Sequence, residues 1–395
     1  MSRFLLVVPP LVGHINPAVG TAAELTERGH EVAWAGHSEL IRQFAGVDAT
    51  VFGCAIPEHG LQRTAGLKGP AALQFLWESF LIPLADAMAP GVRSAIEVFE
   101  PDVVIADQQA VAGGLIADEL GLPWVTSATT SAELMNPLAS MPKVQAWLDD
   151  LLLELRGRIA GGRGGADPRF SPHGVLAFTT RELFGQTELP HERVWLIGPS
   201  ISTRPSTSGF PWDWLDPETP TVLVSLGTVN LDAGVRFLAT AVEALSGMAG
   251  KLQAVVVDPA GVLGEVGEHI LVRSHVPQLE LLSRLDAVVC HAGHNTVCES
   301  LWHGVPLVVA PIRDDQPIVA GQVVDAGAGV RVRFGRVTAN LLAGAIESVL
   351  AEEGGFRLAA QAIGRSFRAA GGNRAAADRL EELLVHAEGT MVESR

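Results

Sequence analysis

The sequence predicts an α/β protein made of two doubly wound parallel sheets. Short, almost continuously apolar segments alternate with amphipathic helical segments, and this alternation stops once, in a Pro- and Ser-rich stretch, before it starts again. Apolar strands separated by helices indicate parallel strands that are covered on both faces. The 395 residues are enough for two such domains.

The first half of the chain contains seven predicted strands and at least three helices. Gly29 and Gly121 each follow a predicted helix, at the position where glycine commonly ends one. These elements form a predicted N-terminal domain, residues 1–198. The strands are expected over residues 4–8, 31–35, 50–53, 102–106, 124–127, 175–179 and 194–197, and the helices over 18–28, 71–100 (broken by prolines) and 110–120.

A linker is predicted over residues 199–220, because its first half is rich in Pro, Ser and Thr and has no apolar period. A C-terminal domain, residues 221–372, follows. Its strands are expected over residues 221–226, 254–258, 270–276, 287–291, 307–310 and 330–334. The last segment, 373–395, contains a helix over 373–386 whose apolar face could pack against either half.

Composition excludes several classes of protein. Hydrophobic residues make up 48% and charged residues 18%, which is a globular composition. The net charge of −16 would repel a phosphate backbone, so nucleic acid is not an expected partner. The most apolar helical region, 71–88, is interrupted by Glu78, Pro83 and Asp86, so no stable membrane insertion is expected. The three cysteines, an odd number, favour a reducing compartment and hence the cytoplasm. A homodimer is neither required nor excluded.

The stretch from residue 290 to 316 predicts an anion site. An apolar strand leads into Gly293, a helix is expected over 295–303, and a second strand follows Gly304-Val305-Pro306. This arrangement brings unpaired backbone N–H groups and the positive end of a helix dipole to the carboxyl edge of a parallel sheet. Phosphate is the commonest ligand of such a turn.

Two other predicted strands end in residues suited to acid–base chemistry. His14 lies in a loop, Gly13 to Pro17, in which Pro17 suits the first turn of the next helix. Asp107 follows the strand over 102–106. Histidine is the usual general base, and a carboxylate can orient its ring. The alternative is that His14 and Asp107 only cap helices.

A zinc site formed by Cys290, His291, His294 and Cys298 is an alternative interpretation. Structural zinc pairs are commonly spaced C-x₂₋₄-C and H-x₃₋₅-H. The two cysteines do not fit this spacing, and burial as small apolar side chains is the more ordinary expectation for them.

Together, these motifs resemble the UDP-glycosyltransferase superfamily, in particular its bacterial natural-product and macrolide-type members. The similarity spans nearly the whole chain. Its motifs are Gly13-His14-x-x-Pro17, Asp107, Ser225-Leu226-Gly227-Thr228, Val276-Pro277-Gln278, His291 to Thr296, Glu299, Gly304-Val305-Pro306, Asp315-Gln316 and the segment 371–377.

The resemblance implies a GT-B fold, with two Rossmann-like domains facing a cleft and a C-terminal helix that crosses back to the first domain. It implies an inverting, metal-independent glycosyltransferase without a cofactor, in which His14 is the base and Asp107 its partner. Asp315 and Gln316 would bind the sugar. Residues of the nucleotide and diphosphate site would be Ser225, Thr228, His275, Val276, Gln278, His291, Gly293, His294, Asn295, Thr296 and Glu299.

The donor nucleotide and the acceptor are less closely defined. His275 stands where many members of the family have a Trp that stacks on the base, so the donor is expected to be either a UDP- or a dTDP-sugar. A lipophilic aglycone, polyketide- or macrolide-like, is implied as acceptor. The apolar residues that either line its pocket or belong to the core are Phe75, Trp77, Phe80, Met88, Trp124, Met135, Met141 and Trp147.

Two further functions are compatible with the same fold. Nucleotide-sugar 2-epimerases also use paired Rossmann-like domains, and a non-catalytic relative could bind a nucleotide sugar without turning it over. The Gly-His-x-x-Pro loop favours transfer over epimerisation, and the presence of both His14 and Asp107 argues against a mere binding protein.

Overall fold

The structure is a computed structural model that describes residues 1–57, 67, 69–164, 167–190, 192–202, 209–227 and 231–393, with side chains omitted for 231–233 and 386–393. The chain forms two compact units. Unit 1 consists of Met1–Thr179, Glu188–Arg204 and Ala370–Arg395, and unit 2 of Thr180–Thr187 and Pro205–Ala369. The chain therefore passes between the units four times.

Unit 1 contains a seven-stranded, fully parallel sheet in the order β3-β2-β1-β4-β5-β6-β7. A π-helical segment, Phe75–Leu81, connects two of its helices, and a 3-10 turn, Glu133–Met135, follows β5. The elements are β1 (Arg3–Val7), α1 (Val12–Glu27), β2 (Glu31–Gly36), α2 (Ser38–Ala45), β3 (Thr50–Gly53), α3 (Pro70–Gln74), α4 (Ile82–Phe99), β4 (Val103–Asp107), α5 (Ala112–Leu120), β5 (Trp124–Ala128), α6 (Pro142–Ala160), β6 (Val175–Ala177), α7 (Arg181–Phe184, in unit 2) and β7 (Val194–Leu196).

Each face of this sheet is covered by helices. Leu5 and Val7 of β1 pack into a core with α4 and α5, whereas Phe4 and Leu6 pack into a second core with α1. Successive side chains of a strand point to opposite faces, so a strand with helices on both faces is apolar throughout. This requirement explains the continuous apolar runs in the sequence.

Unit 2 contains a six-stranded parallel sheet in the order β10-β9-β8-β11-β12-β13. It too has a core on each face, with Leu223 of β8 in one and Val222 and Val224 in the other. The elements are β8 (Thr221–Ser225), α8 (Leu231–Ser246), β9 (Gln253–Val257), β10 (Ile270–Arg273), α9 (Gln278–Leu282), β11 (Ala287–Cys290), α10 (His294–Trp302), β12 (Leu307–Val309), α11 (Gln316–Asp325), β13 (Gly329–Arg331), α12 (Ala339–Leu350) and α13 (Phe356–Ala370).

The last helix, α14 (Asn373–Glu393), belongs to unit 1. Its Ala376, Ala377 and Leu380 are fully buried in the core that also holds α1. At the edge of this contact, the Arg28 guanidinium donates to Asp378 and Glu381. The helix is thus fixed by an apolar stripe and by charged hydrogen bonds.

Several predicted elements have different bounds in the structure, and three of them are instructive. Helix α1 starts at Val12 rather than at residue 18, so Pro17 lies inside it instead of in a first turn that follows a loop. The strands predicted over 270–276 and 330–334 are shorter, Ile270–Arg273 and Gly329–Arg331. Both are edge strands, and the pairing stops where the neighbouring strand ends, at Val257 and Val309.

Among the helices of the described residues, none combines the length and the apolar character that crossing a membrane requires.

Candidate active site

His14 and Asp107 meet where the strand order of unit 1 reverses. β1 and β4 are hydrogen-bonded neighbours, and the connections that follow them run to opposite sides. His14 lies in the first turn of α1, and Asp107 is the last residue of β4. The His14 Nδ1 atom lies 2.9 Å from Asp107 Oδ1 and 3.0 Å from Oδ2. Ligands of open α/β sheets bind at this kind of position.

The capping alternative fits neither residue. The N-cap of α1 is Leu11, which makes no side-chain capping bond, and α5 starts at Ala112 with Val111 as its N-cap. His14 and Asp107 are instead hydrogen-bonded to each other. The Asp107 side chain is fully buried, whereas that of His14 is 15% exposed.

Thr129 is a third member of this site that the sequence did not reveal. Its hydroxyl donates to Asp107 Oδ2 at 2.9 Å, and its Oγ1 lies 2.7 Å from His14 Nδ1. The backbone N–H of Gln109 donates to Asp107 Oδ1 at 2.8 Å. A threonine one residue beyond a strand belongs to no motif, so only the fold could identify it.

This arrangement suits a general base. An ionised carboxylate can accept hydrogen bonds but cannot donate them. Beside Asp107, the ring proton of neutral His14 therefore sits on Nδ1, and the lone pair sits on Nε2. A buried carboxylate that fixes the tautomer of a histidine is the logic of hydrolytic triads. The site can therefore take a proton from a hydroxyl placed against Nε2.

An ionic cluster joins Glu133, which follows Thr129 after β5, to the segment before β6. Glu133 Oε2 is 3.2 Å from Arg169 Nη1, and Arg169 also donates to Asp167. Burial raises the pKa of Glu133, although Arg169 opposes the shift and the nearby Asp167 adds to it. The Arg169 guanidinium lies over the rings of Trp77 and Phe170. Glu133 is thus a carboxyl group in a setting that disfavours its charge.

The corresponding position of unit 2 lies between β8 and β11. Ser225 pairs with Cys290, and His291 follows directly. Gly227 has φ +69, and a Cβ there would lie 2.7 Å from His291 Cε1. Burial lowers the pKa of His291 to about 4, against the smaller opposing effect of a hydrogen bond to the Ser225 backbone. Among the described residues, no group hydrogen-bonds to His291 Nδ1.

The turn after His291 presents a helix start. Ala292 has φ +66, a conformation that costs a non-glycine residue energy and is often found at functional sites. Gly293 is the N-cap of α10 and supplies no capping side chain. The helix starts at His294, one residue earlier than predicted, so that Asn295 and Thr296 lie in its first turn. The backbone N–H groups of this turn suit an anion.

Two more predicted residues are hydrogen-bonded to each other in unit 2. Gln278 Nε2 donates to Glu299 Oε2 at 2.6 Å, and Glu299 is almost fully buried. His275 is exposed, and Val276 packs against the core. This side of the site therefore offers one carboxylate with a fixed orientation.

Asp315 ends the loop after β12, and Gln316 is the first residue of α11. Gln316 Oε1 accepts from the backbone N–H groups of Ile312 and Arg313 at 2.8 and 3.1 Å, so that its amide NH₂ is the part left for a ligand. Asp315 is the N-cap of α11, and Asp314 before it has φ +57. The remaining predicted nucleotide residue, Thr228, lies outside the described residues.

The zinc alternative does not fit the geometry. Cys290 and Cys298 are buried free thiols, as the sequence indicated. Burial raises the pKa of Cys290 to about 12, which disfavours the thiolate that zinc needs. In the part of the chain that the structure describes, no three His, Cys, Asp or Glu side chains are grouped as a metal site.

Comparison with known proteins finds glycosyltransferases. Residues 212–356 match the family model "UDP-glucoronosyl and UDP-glucosyl transferase". The 4'-demethylrebeccamycin synthase of Lentzea aerocolonigenes is 29% identical, over 97% of this chain and all of its own length. The solved structure of the glycotransferase of kitacinnamycin is 27% identical, covers 97% of this chain and 98% of its own, and superposes with a TM-score of 0.75.

A third relative is known with small molecules bound. The spinosyn rhamnosyltransferase SpnG has been solved with thymidine diphosphate and with spinosyn aglycone. These two structures superpose on this chain with TM-scores of 0.74 and 0.75. Both structures cover 96% of this chain and the whole of SpnG, at 21% and 22% identity. The similarity confirms the predicted fold, and the molecules that SpnG binds are small.

Proposed function

We propose that this chain, a glycosyltransferase of the GT-B fold, transfers a sugar with inversion and without a metal ion, and that His14 is the base. The donor is a UDP- or dTDP-linked hexose or deoxyhexose, and the acceptor is a hydroxyl of a lipophilic natural product. The observation that carries this proposal is the His14–Asp107 pair, 2.9 Å between Nδ1 and Oδ1, at the switch point of unit 1.

In the proposed reaction, His14 Nε2 takes the proton of the acceptor hydroxyl as its oxygen attacks the anomeric carbon. The bond between that carbon and the diphosphate oxygen breaks on the opposite face, so that one displacement inverts the configuration. Asp107 stabilises the imidazolium that forms. The proton leaves with His14, and the electron pair of the broken bond leaves with the nucleoside diphosphate.

The leaving diphosphate is assigned to the loops after β8 and β11. Gly293, His294, Asn295 and Thr296 offer the backbone N–H groups of a helix start, and His291 lies beside them. Donors placed where charge develops can replace a metal ion in this role. Ser225 and Thr228 belong to the same proposed site. Because the predicted role needs only these donors, turnover should survive EDTA.

The nucleoside and sugar are assigned to the neighbouring loops of unit 2. Glu299, which accepts a hydrogen bond from Gln278, is assigned to the ribose hydroxyls. His275 and Val276 face the base, where an imidazole supplies less stacking surface than an indole. Asp315 and the amide NH₂ of Gln316 are assigned to the hydroxyls of the hexose.

The acceptor is assigned to unit 1. Of the eight apolar residues considered from the sequence, Trp77, Phe80, Met88 and Trp124 are buried in the core. Phe75, Met135, Met141 and Trp147 are partly or largely exposed, so these four are the candidates for contacts with a lipophilic acceptor. The names of the rebeccamycin and spinosyn relatives support a natural-product aglycone.

A panel of aglycones, incubated with UDP-glucose and with dTDP-glucose, tests this function by mass spectrometry, and the proton spectrum of the product gives its anomeric configuration. Transfer with inversion that continues in EDTA supports the proposal. Conversion of the donor without acceptor would favour the epimerase, and binding without turnover the non-catalytic relative.

Light scattering and fractionation of the source cells test the further expectations of a homodimer and a cytoplasmic location.

A further inference from the structure

Thr129 completes a hydrogen-bonded triad with His14 and Asp107. Its hydroxyl has a single proton, and this proton is used in the 2.9 Å bond to Asp107 Oδ2. With the ring proton on Nδ1, the 2.7 Å contact runs from the ring N–H to Thr129 Oγ1, so that this single N–H is shared between Thr129 and the Asp107 carboxylate. Thr129 is therefore bonded to both members of the pair at once.

We propose that Thr129 is a positioning residue of the transfer reaction, which fixes the Nδ1–H tautomer and the ring orientation of His14 through both hydrogen bonds. This inference rests on the proposed role of His14 as the base. Each carboxylate oxygen of Asp107 has a donor of its own besides His14, Thr129 on Oδ2 and the Gln109 N–H on Oδ1. The carboxylate plane cannot rotate without breaking one of them.

Two observations indicate that the Thr129 hydroxyl does more than satisfy a buried hydrogen bond in the core. The Thr129–Nδ1 distance, 2.7 Å, is shorter than either distance from Nδ1 to Asp107, 2.9 and 3.0 Å. Thr129 follows β5, the neighbour of β4, so its placement depends on a strand that carries neither His14 nor Asp107. The β5 loop thereby controls the geometry of a base on α1.

Strand β5 also supplies a matched control. Thr126 is equally buried, and its hydroxyl donates to the Arg169 carbonyl and accepts from the Ser171 N–H. It makes no bond to His14 or Asp107 among the interactions described. Thr126→Val and Thr129→Val each remove one buried hydroxyl from the same segment while keeping its shape, so they cost stability by the same mechanism. Only Thr129→Val should alter the base.

The experiment measures kcat, the donor KM and the melting temperature of Thr129→Val, Thr129→Ser, Thr126→Val and His14→Ala. The acceptor is the aliphatic alcohol that the wild type glycosylates best in the panel. Thr129→Val should lower kcat about 10-fold, with the donor KM unchanged. Thr129→Ser should stay within about threefold of the wild type because it keeps the hydroxyl. Thr126→Val should lose melting temperature but keep kcat.

A second measurement needs no substrate. In spectra of ¹⁵N-histidine-labelled protein, with His14 assigned by difference from His14→Gln, the Nδ1 proton should be far downfield in the wild type and in Thr129→Ser. It should shift upfield in Thr129→Val and stay in place in Thr126→Val. An unchanged His14 signal in Thr129→Val, or an equal loss of kcat in both valine variants, would overturn the inference. Full turnover by His14→Ala would instead overturn the proposed base.

Discussion

The imidazole of His14 and the carboxylate of Asp107 are 2.9 Å apart although 93 residues separate them in the chain. The strand order explains this proximity, because β1 and β4 are neighbours while the chain between them builds β2 and β3 on the other side. The parallel sheet puts both strand ends on one edge. The base and its carboxylate therefore meet because they follow two adjacent strands.

Replacement of the carboxylate should act on the chemical step. In Asp107→Asn, the amide cannot fix the Nδ1–H tautomer as a carboxylate does, so kcat should fall about 10- to 100-fold, less than on loss of a general base altogether. The donor affinity should stay the same because the donor is assigned to unit 2. Steady-state kinetics and calorimetry with UDP or dTDP check both parts, and a weaker donor affinity at full kcat would contradict the assignment.

Donor binding should take up a proton at His291. Its pKa of about 4 leaves the free enzyme with a neutral ring at pH 7, and its Nδ1 atom has no partner among the described residues. Because the negative charge of a diphosphate beside the ring favours the imidazolium, binding raises this pKa. The affinity should then increase as the pH falls from the pKa of the complex towards 4, by up to about tenfold per pH unit.

Calorimetry with UDP-glucose in buffers of different ionisation enthalpy measures this uptake. UDP itself is unsuitable because a terminal phosphate titrates at about pH 6. His291→Gln should abolish the uptake and weaken binding. His303→Gln is the control, because burial also lowers the pKa of His303, at the other end of α10. No uptake by the wild type would place the anion away from the ring.

The glycine at position 227 should be needed for the donor site and not only for the turn. A methyl group there would lie 2.7 Å from His291 Cε1, and φ is +69. Gly261 has a similar φ, +64, but nothing lies within 4 Å of its added Cβ. Both Ala variants should lose about 1 kcal/mol of stability from the backbone, whereas only Gly227→Ala should lose donor affinity. Equal affinities in calorimetry would show that the contact has no function.

The stability that α14 gains from its contacts with Arg28 and His30 should depend on pH. A hydrogen bond from His30, followed by one from Arg28, lowers the pKa of Glu381. A lowered carboxyl pKa contributes stability above the unfolded value of about 4.3, and this contribution is lost as the pH falls through the folded pKa. Glu381→Gln should therefore lower the melting temperature at pH 7, by an amount that shrinks as the pH falls below about 4.3.

Glu382→Gln is the matched control for that variant. Glu382 is 59% exposed and forms only an i,i+3 pair with Arg379. Exposed pairs of this kind contribute little, so its melting temperature should follow the wild type throughout. If the two variants behaved alike, the Arg28–His30–Glu381 contacts would not stabilise the helix.

The sequence predicted the sheets and singled out most of the candidate site residues because both leave local patterns. Strands with helices on both faces must be apolar throughout, and the turns after β1 and β11 need glycines, a histidine and a helix start at fixed spacings. The start of α1 was wrong because Leu11 gives no capping signal and Pro17 suggested a first turn. A proline within a helix only forfeits one hydrogen bond, which packing can offset.

Other features depend on residues distant in sequence. Thr129 joins the site only because β5 pairs with β4. The edge strands β10 and β13 end where their neighbours end, which no local pattern can show. The positive φ values of Ala292 and Asp314 are likewise set by the surrounding structure, since alanine gives no hint of such a conformation.

The single-turnover rate of His14→Ala tests the central claim most directly. The acceptor should be an aliphatic alcohol, since a phenol is partly ionised without a base. The control is His37→Ala, which removes a histidine that caps α2 by accepting from the Leu40 N–H. The account predicts a rate about 10²–10⁴-fold lower for His14→Ala, with unchanged donor affinity, and a wild-type rate with a lower melting temperature for His37→Ala. A wild-type rate in a folded His14→Ala enzyme would contradict it.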